Sequence, residues 1–367
     1  MKRILPLLAL VLALISCEHQ PATVAPEAMQ IIGFELAPLA PTRADVVDPR
    51  ASTLITKDSI FSMGIFAYST PHEIVPGSLK AGLATTTPNL IYNQKATREL
   101  VLIPDTEPKE YELNDWTYEP EAYWPVNLAL NNTFFAYSPH SDEMPTAIVS
   151  QSNDTGTPTI TYTLPDVSTE MIDLLYSDSV LNQNRNTNQG KVKYKMNHAL
   201  SWLSFVVAPV EVNKNPDSKY KVNWIAFMAD ELPATATFDL GTRKWIAESM
   251  STAHREFELN LTKEAESIAQ GEVALVVHPD SRLVLLPFTI KKEAVATIDI
   301  TFVFEGIEYY YFAPFPEQRM TAGNVSVYVI NISPDGAIVE FQKETSIDNW
   351  LKAWEDYEGG DVELEIY

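Results

Sequence analysis

Hydrophobic and polar residues alternate along most of this chain in short runs, which is the pattern of half-buried β-strands. Clear examples are Ile60–Thr70 (IFSMGIFAYST), Asn132–Pro139 (NTFFAYSP) and Gly323–Ile332 (GNVSVYVINI). Proline, asparagine, aspartate and serine break the runs, as they do at turns between strands. Many short strands with turns between them and few long helices predict an all-β protein made of antiparallel sandwiches.

The first predicted strand lies near the N-terminal end, within QIIGFELAP (Gln30–Pro38). Ile32, Phe34 and Leu36 alternate with their neighbours and share one face, and the proline ends the strand. The turn-rich stretch that follows it carries Arg43 and Arg50. We expect this stretch to be exposed.

The last residues of the sequence, DVELEIY (Asp361–Tyr367), repeat the same apolar spacing. Val362, Leu364 and Ile366 point one way, which predicts a second half-buried strand, and two glycines before it supply a flexible joint. Two interpretations stay open. The strand pairs within its own C-terminal sandwich, or it fills a groove in a neighbouring molecule.

Two segments have helix-type caps, Ser168–Ser177 and Asp348–Gly360. The Asn/Gln-rich stretch Ser177–Lys191 is interpreted as a loop at a domain boundary, with a long hairpin connection as the alternative. The length of 367 residues suggests two domains. The predicted divisions are a signal peptide (1–16), a tether with the first strand (17–43), an N-terminal sandwich (44–188) and a C-terminal sandwich (189–367).

The net charge of the chain bears on whether nucleic acid can be a partner. The chain has 49 acidic and 26 basic residues, giving a formal net charge of −23. Such a surface repels phosphate backbones, and no basic cluster offsets it, so nucleic acid is not an expected partner.

The N-terminus has the anatomy of an export signal. Lys2 and Arg3 precede the apolar run Ile4–Ile15, which is too short to span a bilayer. The run ends in LISC, which resembles a bacterial lipobox, and Cys17 is the only cysteine in the chain. The resemblance implies cleavage before Cys17 and attachment of lipid to its sulfur, and hence an outer-membrane, cell-surface location. The alternative is a stray cysteine beside an ordinary signal peptide.

Recognisable catalytic or metal-binding motifs are lacking. The six histidines have no metal-ligand spacing, and there is no G-x-S-x-G, P-loop or G-x-G-x-x-G motif. We therefore expect no enzyme activity, no metal site and no cofactor. His198 is interpreted as a hydrogen-bonded strand histidine.

Several aromatic-rich strands, in this order and behind the lipobox, resemble the Bacteroidales fimbrillin family, the subunits of type V pili. The segments that carry the resemblance are SMGIFAY (Ser62–Tyr68), EAYWPVNLALNNTFFAYSP (Glu121–Pro139), VKYKMNHALSWLSFVV (Val192–Val207), ATFDLGTRKW (Ala236–Trp245) and MTAGNVSVYVINI (Met320–Ile332). The predicted fold class is therefore all-β, with two tandem transthyretin-like, Greek-key β-sandwich domains and a few short helices.

The resemblance also implies a maturation pathway. In the family an arginine-specific protease cuts after the first strand, the strand leaves, and the terminal strand of a neighbour fills the open groove. By this resemblance the cut lies between Arg43 and Ala44 (PTRAD), with Arg50–Ala51 as the second choice and an uncut loop as the alternative.

The same resemblance makes the first strand removable and DVELEIY the donor strand. The expected partners are other fimbrial subunits joined by strand addition, outer-membrane lipid through Cys17, and a host or bacterial surface ligand. The removable residues are Ile32, Phe34 and Leu36, and the donor residues are Val362, Leu364 and Ile366.

Two other functions are compatible with the sequence: a non-polymerising anchor or tip subunit, and an outer-membrane glycan-binding lipoprotein. A glycan binder could present an aromatic platform made of Trp116, Tyr118, Tyr123 and Trp124. The opposing prediction is that the motif residues fill the cores, because aromatic side chains dominate core burial. Those residues are Trp124, Phe134, Tyr137, Leu200 and Trp245.

Overall fold

β-strands make up nearly all of the regular structure in the computed structural model, which describes residues 29–37, 60–104, 111–212, 215, 217–277, 283–290 and 296–346. The strands up to residue 194 are β1 (Gly33–Leu36), β2 (Ser62–Thr70), β3 (Ile91–Thr97), β4 (Leu100–Leu102), β5 (Tyr111–Leu113), β6 (Thr117–Tyr118), β7 (Asn131–Ser138), β8 (Ala147–Val149), β9 (Thr159–Thr163), β10 (Leu175–Ser177), β11 (Val180–Gln183) and β12 (Lys191–Tyr194).

The remaining strands all lie beyond residue 195. They are β13 (Met196–His198), β14 (Ser201–Pro209), β15 (Lys219–Asp239), β16 (Lys244–Glu258), β17 (Ile268–Ala269), β18 (Leu283–Leu285), β19 (Thr289–Ile290), β20 (Ala296–Phe304), β21 (Ile307–Pro314), β22 (Gln318–Arg319), β23 (Asn324–Ser333) and β24 (Gly336–Ser346). The helical segments are short: α1 (Leu79–Gly82) and the 3₁₀ turns Ser168–Glu170, Thr187–Gly190 and Lys263–Glu266. The predicted all-β fold with a few short helices is confirmed.

Three larger sheets form the body of the described structure. The first has the order β13-β10-β7-β2-β3-β6, with β11 also paired to β7. The second has the order β21-β20-β15-β9-β8, with β16 and β17 also paired to β15, and the third has the order β18-β14-β23-β24. Strand β1 belongs to none of them, because among the residues that the structure describes its ladder joins it only to β12.

Two hydrophobic cores lie among these sheets. The larger core draws on both halves of the sequence, for example Phe66, Trp202 and Tyr328. The smaller core includes Ile32 and Phe34 on the first strand, together with residues of β2, β7 and β12. The inward face of the first strand is therefore part of a core.

Strand pairing crosses residue 188. β13 pairs with β10 in the first sheet, and β9 pairs with β15 in the second. The domain ranges 44–188 and 189–367 stay a prediction.

The predicted helix at Ser168–Ser177 is wrong. A 3₁₀ turn covers only Ser168–Glu170, and β10 follows it. Within β10, Leu175 and Ser177 are buried between the neighbouring strands β7 and β13. Pairing to two strands has overridden a weak capping signal, as tertiary contacts commonly do. The second predicted helix, Asp348–Gly360, lies outside the described residues.

The Asn/Gln-rich stretch after β10 is also not a plain loop, because it contains β11. Its polar side chains bind backbone. The Asn182 side chain accepts a hydrogen bond from the Ile74 amide and donates one to the Ile74 carbonyl, both at 2.9 Å. The Asn132 amide group on β7 donates to the Gln183 carbonyl at 2.8 Å. These bonds add to the packing of Val180 and Leu181 against the cores in holding β11 on the sheet.

Candidate functional site

The first strand lies in a groove between two segments that are remote from it in sequence. On one side β1 runs parallel to β12, from Gly33 opposite Lys191 to Leu36 opposite Tyr194. On the other side it meets the segment 122–124. We call the space bounded by β6, residues 122–124 and β12 the β1 groove.

Backbone hydrogen bonds fix the strand at both ends of the groove. The Ile32 amide donates to the Ala122 carbonyl at 3.0 Å, and the Trp124 amide donates to the Gln30 carbonyl at 2.9 Å. Beyond the end of β1, the amide of Ala37 donates to the Tyr194 carbonyl at 2.6 Å. The strand is thus held antiparallel at its start and parallel at its end.

The side chains of the predicted removable strand enter the core unequally. Ile32 is 0% exposed and Phe34 is 4% exposed, whereas Leu36 is only partly buried and packs at the edge of the same core. Burial of an aliphatic or aromatic side chain contributes roughly 1.5–3 kcal/mol. The first two side chains therefore account for most of the apolar contact in the groove.

Phe34 sits between two tyrosine rings. Its ring centroid lies 5.1 Å from that of Tyr118, at an interplanar angle of 51°, and 6.0 Å from that of Tyr194, at 23°. Both tyrosines are buried. Aromatic pairs in such geometries add to the stability expected from buried area alone.

Tyr118 also contacts the strand backbone. Its hydroxyl lies 2.8 Å from the Ile32 carbonyl oxygen and 3.1 Å from the Ala122 carbonyl oxygen, and it accepts from the Ala122 amide at 3.3 Å. The single hydroxyl hydrogen can therefore be donated either to the Ile32 carbonyl of the strand or to the Ala122 carbonyl in the wall of the groove. Burial raises the pKa of Tyr118 from 10 to about 12, so the hydroxyl stays protonated and able to donate to a higher pH than a free tyrosine does.

The second tyrosine carries a polar atom that has no partner. The hydroxyl of Tyr194 is buried and makes no hydrogen bond to any residue that the structure describes. Burial holds its pKa well above the ordinary value. A buried, unpaired hydroxyl lowers stability, so its place at the base of the groove calls for a functional or an energetic explanation.

A glycine shapes the entrance of the groove. Gly190 has a φ of +78°, and a Cβ there would overlap the side chain of Gln30. The Gly190 carbonyl accepts from the Trp124 indole at 3.0 Å, and the Gln30 side chain donates to the Gln189 carbonyl at 3.1 Å. The bend before β12 thus binds both the wall of the groove and the strand in it.

Two ion pairs line the outer rim. Lys193 on β12 lies 3.4 Å from Glu35 on β1, and Lys191 lies 3.5 Å from Asp115. All four side chains are half-exposed or more. Exposed pairs of this kind contribute about 0–1 kcal/mol each, so the rim adds little to the stability of the fold.

Several predicted site residues lie outside the described residues, so nothing is said here of their structure. They are the lipidation residue Cys17, the processing residues Arg43, Ala44, Arg50 and Ala51, and the donor residues Val362, Leu364 and Ile366.

The alternative of an exposed aromatic platform is wrong. Tyr118 and Trp124 are buried and serve the β1 groove. Trp116 is half-buried, with the Arg98 guanidinium 4.7 Å from its ring centroid, while Tyr123 is 41% exposed. The four rings do not share an exposed face, because Tyr118 and Trp124 are buried in the wall of the β1 groove.

The opposing prediction, that the motif residues fill the cores, is confirmed for four of them. Trp124, Phe134, Tyr137 and Leu200 are buried. Trp245 is only partly buried and donates its indole hydrogen to the Ala199 carbonyl at 2.8 Å.

His198 is a hydrogen-bonded strand histidine, as predicted. It lies at the end of β13, and its Nδ1 hydrogen-bonds the buried carboxylate of Asp173. Within the described ranges, no group of three or more His, Cys, Asp or Glu could hold a metal ion. No helix in those ranges is long and apolar enough to cross a membrane.

Sequence reasoning missed the partners of the first strand. Tyr194, Lys191 and Lys193 form the other half of the site, yet they lie far from β1 in the sequence. The signal available was the alternation Lys-Val-Lys-Tyr-Lys at 191–195, which predicts a strand with one charged and one apolar face. Nothing local could show that its partner is the first strand.

Solved structures show which class of protein has this architecture. A fimbrial protein from Bacteroides vulgatus shares the fold with a TM-score of 0.61 and 22% sequence identity, and the match covers 86% of this chain and 99% of that chain. The chain thus shares the all-β fold of that protein.

The chain belongs to the fimbrillin-like family, whose profile matches residues 74–350. It is also 26% identical over 203 residues to fimbrium subunit Fim1C of Phocaeicola vulgatus, across 53% of this chain and 48% of that protein. The chain thus matches about half the length of this curated relative. The family is one of fimbrial proteins and not of enzymes. The first strand lies outside the matched residues.

Proposed function

We propose that this protein is a structural subunit of a cell-surface fimbrium that polymerises by strand exchange and supports adhesion. In this proposal the chain is exported as a lipoprotein through Cys17 and reaches the outer membrane. Cleavage between Arg43 and Ala44 then frees the first strand, and a strand from a neighbouring subunit takes its place.

The observation that carries the proposal is the position of β1. β1 contributes Phe34 to a core, and Ile32 directly before it enters the same core, yet among the described residues its ladder joins it to β12 and not to a larger sheet. Removing it would expose Tyr118, Tyr194 and the edge of β12. An added strand would cover the apolar surface and pair the backbone groups together.

The connection between β1 and β2 supports the proposed cut. The two strands are joined through the segment 38–59, which contains both Arg43 and Arg50. One cut in that segment separates β1 covalently from every later strand. The strand then stays only by its non-covalent contacts, without the high effective concentration that a tether provides.

The donor assigned in this proposal is Asp361–Tyr367, whose apolar residues repeat the spacing of Ile32, Phe34 and Leu36. Each junction is head-to-tail and does not close on itself, so repeated addition gives a filament. Lipid on Cys17 holds the precursor at the membrane until the cut releases it.

Mass spectrometry of the N-terminus of the surface protein tests the proposal. Polymerised protein is expected to begin at Ala44, and unprocessed precursor at lipid-bearing Cys17. Surface protein that begins at Cys17 even with the protease present would instead indicate an anchor subunit or a glycan-binding lipoprotein.

Two variants separate the steps. Cys17→Ala should abolish labelling by a clickable fatty acid while leaving the fold intact. A chain that ends at Gly360 should keep its melting temperature and form no polymers after protease treatment. A large loss of melting temperature on that truncation would show that the segment pairs within its own sandwich.

A further inference from the structure

The outer rim of the β1 groove carries two lysines. Lys191 and Lys193 lie on the exposed face of β12, with the buried Val192 between them. Each has a carboxylate within 3.5 Å, so the rim already binds acidic groups. The chain has a net charge of −23, so most of its surface repels an acidic strand, whereas these two lysines attract one.

The first strand uses only one of the two lysines. Glu35 faces Lys193 at 3.4 Å, but the residue opposite Lys191 is Gly33, which has no side chain. Lys191 pairs instead with Asp115, whose side chain is 91% exposed. One position on the rim is therefore not used by the strand that fills the groove.

The proposed donor strand has a glutamate for each lysine. When Val362 takes the place of Ile32, and Leu364 that of Phe34, the register puts Glu363 at the position of Gly33 and Glu365 at that of Glu35. The two glutamates then face Lys191 and Lys193. A shift of two residues in one direction keeps both acidic groups, Asp361 and Glu363, opposite the lysines but puts Gly360 in the place of Ile32. The opposite shift puts Tyr367 opposite Lys193 and loses a charge pair.

There is room for a side chain at the position of Gly33. Its φ is not in the left-handed region, and an added Cβ would lie 3.1 Å from Cγ of Lys191. Because that lysine is half-exposed, it can move by the few tenths of an ångström required. A glutamate there would bring its carboxylate beside the amino group that it is to meet.

We infer that Lys191 and Lys193 select the incoming strand by pairing with Glu363 and Glu365 of a second copy of this chain. The inference rests on the proposed strand exchange and names its partner. Exposed ion pairs are individually weak, so the effect is one of selectivity and depends on salt. Removing both pairs should weaken strand binding about fivefold at low salt.

The experiment uses the full chain with a site-specific protease sequence placed in segment 38–59. After the cut, fluorescein-labelled peptides compete for the groove, and anisotropy gives their affinity. Four peptides are compared. The glutamate peptide has the sequence of Asp361–Tyr367, the glutamine peptide carries Glu363→Gln and Glu365→Gln, and the lysine peptide has lysine at both positions. The fourth peptide has the sequence of Gln30–Ala37. The protein is tested unchanged, with Lys191→Glu and Lys193→Glu together, and with the control Lys221→Glu at an exposed lysine on β15.

The expected result is that the glutamate peptide binds the unchanged protein about fivefold more tightly than the glutamine peptide at low salt, and equally in 0.5 M salt. The lysine peptide should prefer the charge-reversed protein, and the Lys221→Glu variant should behave as the unchanged protein.

Equal binding of the glutamate and glutamine peptides at low salt would overturn the inference and leave strand exchange standing. Binding of the Gln30–Ala37 peptide alone would overturn the inference and the donor assignment. Failure of every peptide to bind would overturn strand exchange and the inference with it.

Discussion

Strands β1 and β2 both bury apolar side chains, but they are held in different ways. β2 pairs with β3 on one edge and with β7 on the other, and nearly every residue along it is buried. β1 pairs with β12 alone in its ladder, and only Phe34 within it is fully buried. The comparison shows that β2 is paired along both edges, whereas β1 has a ladder along one edge and isolated backbone hydrogen bonds to residues 122–124 on the other.

The two largest expected effects both lie in β2, and the first concerns its glycine. A Cβ at Gly64 of β2 would overlap the buried ring of Tyr137, whose hydroxyl donates to the Asn93 side chain at 2.6 Å. Because this ring cannot move freely, Gly64→Ala should lower the free energy of unfolding by about 3 kcal/mol. Urea denaturation measures it, with Gly336→Ala as the control, since a Cβ there meets nothing within 4 Å.

Truncating one phenylalanine in each strand tests the comparison directly. Phe66→Ala in β2 should lower the global free energy of unfolding by about 3–5 kcal/mol. Phe34→Ala removes a side chain of similar burial, but its effect should stay local. Hydrogen exchange should speed up in β12 and change little in β7. An equal loss of global stability in both variants would show that β1 is as integral as β2.

High pH should loosen the first strand. The pKa of Tyr118 is raised from 10 to about 12, so its contribution is complete below pH 10 and is lost as the pH rises towards 12. The phenolate can no longer donate to the Ile32 carbonyl. Gel filtration of chain cut within segment 38–59 should show β1 released in this window, and Tyr118→Phe should reduce the pH dependence. Release that is independent of pH would contradict the role of this hydroxyl.

The smallest expected effect is a gain. Tyr194→Phe removes a buried hydroxyl that has no partner among the described residues, so the strand-filled form should become more stable by about 1 kcal/mol. Tyr118→Phe, on the other side of Phe34, removes a hydroxyl that is bonded and should cost about 1 kcal/mol. Thermal melts compare the two. A loss in both variants would mean that the Tyr194 hydroxyl has a partner after all.

The alternation of apolar and polar residues was sufficient to predict the first strand but not the segments that it packs against. Alternation predicted the shared face of Ile32, Phe34 and Leu36, and the buried first two residues follow from it. The parallel partner β12 could not be predicted, because pairing between strands remote in sequence leaves no local trace. The aromatic residues near 116–124 were ambiguous for a related reason, since composition does not say which rings face inward.

The failed helix at Ser168–Ser177 shows the same limit. Caps and short apolar runs indicate what a segment can do alone, while pairing with β7 and β13 decided what it does. The apolar face of a regular element can be predicted from its own sequence, whereas its pairing with strands remote in sequence cannot.

The central claim is that β1 is a separable strand in an otherwise self-sufficient fold. Hydrogen exchange measured by mass spectrometry, on the full chain cut within segment 38–59 and washed free of β1, tests it most directly. The account predicts that residues 118–124 and β12 lose protection, that β2 and β7 keep theirs, and that adding the Gln30–Ala37 peptide restores the lost protection. Collapse of protection across β2 and β7 when β1 leaves would contradict it.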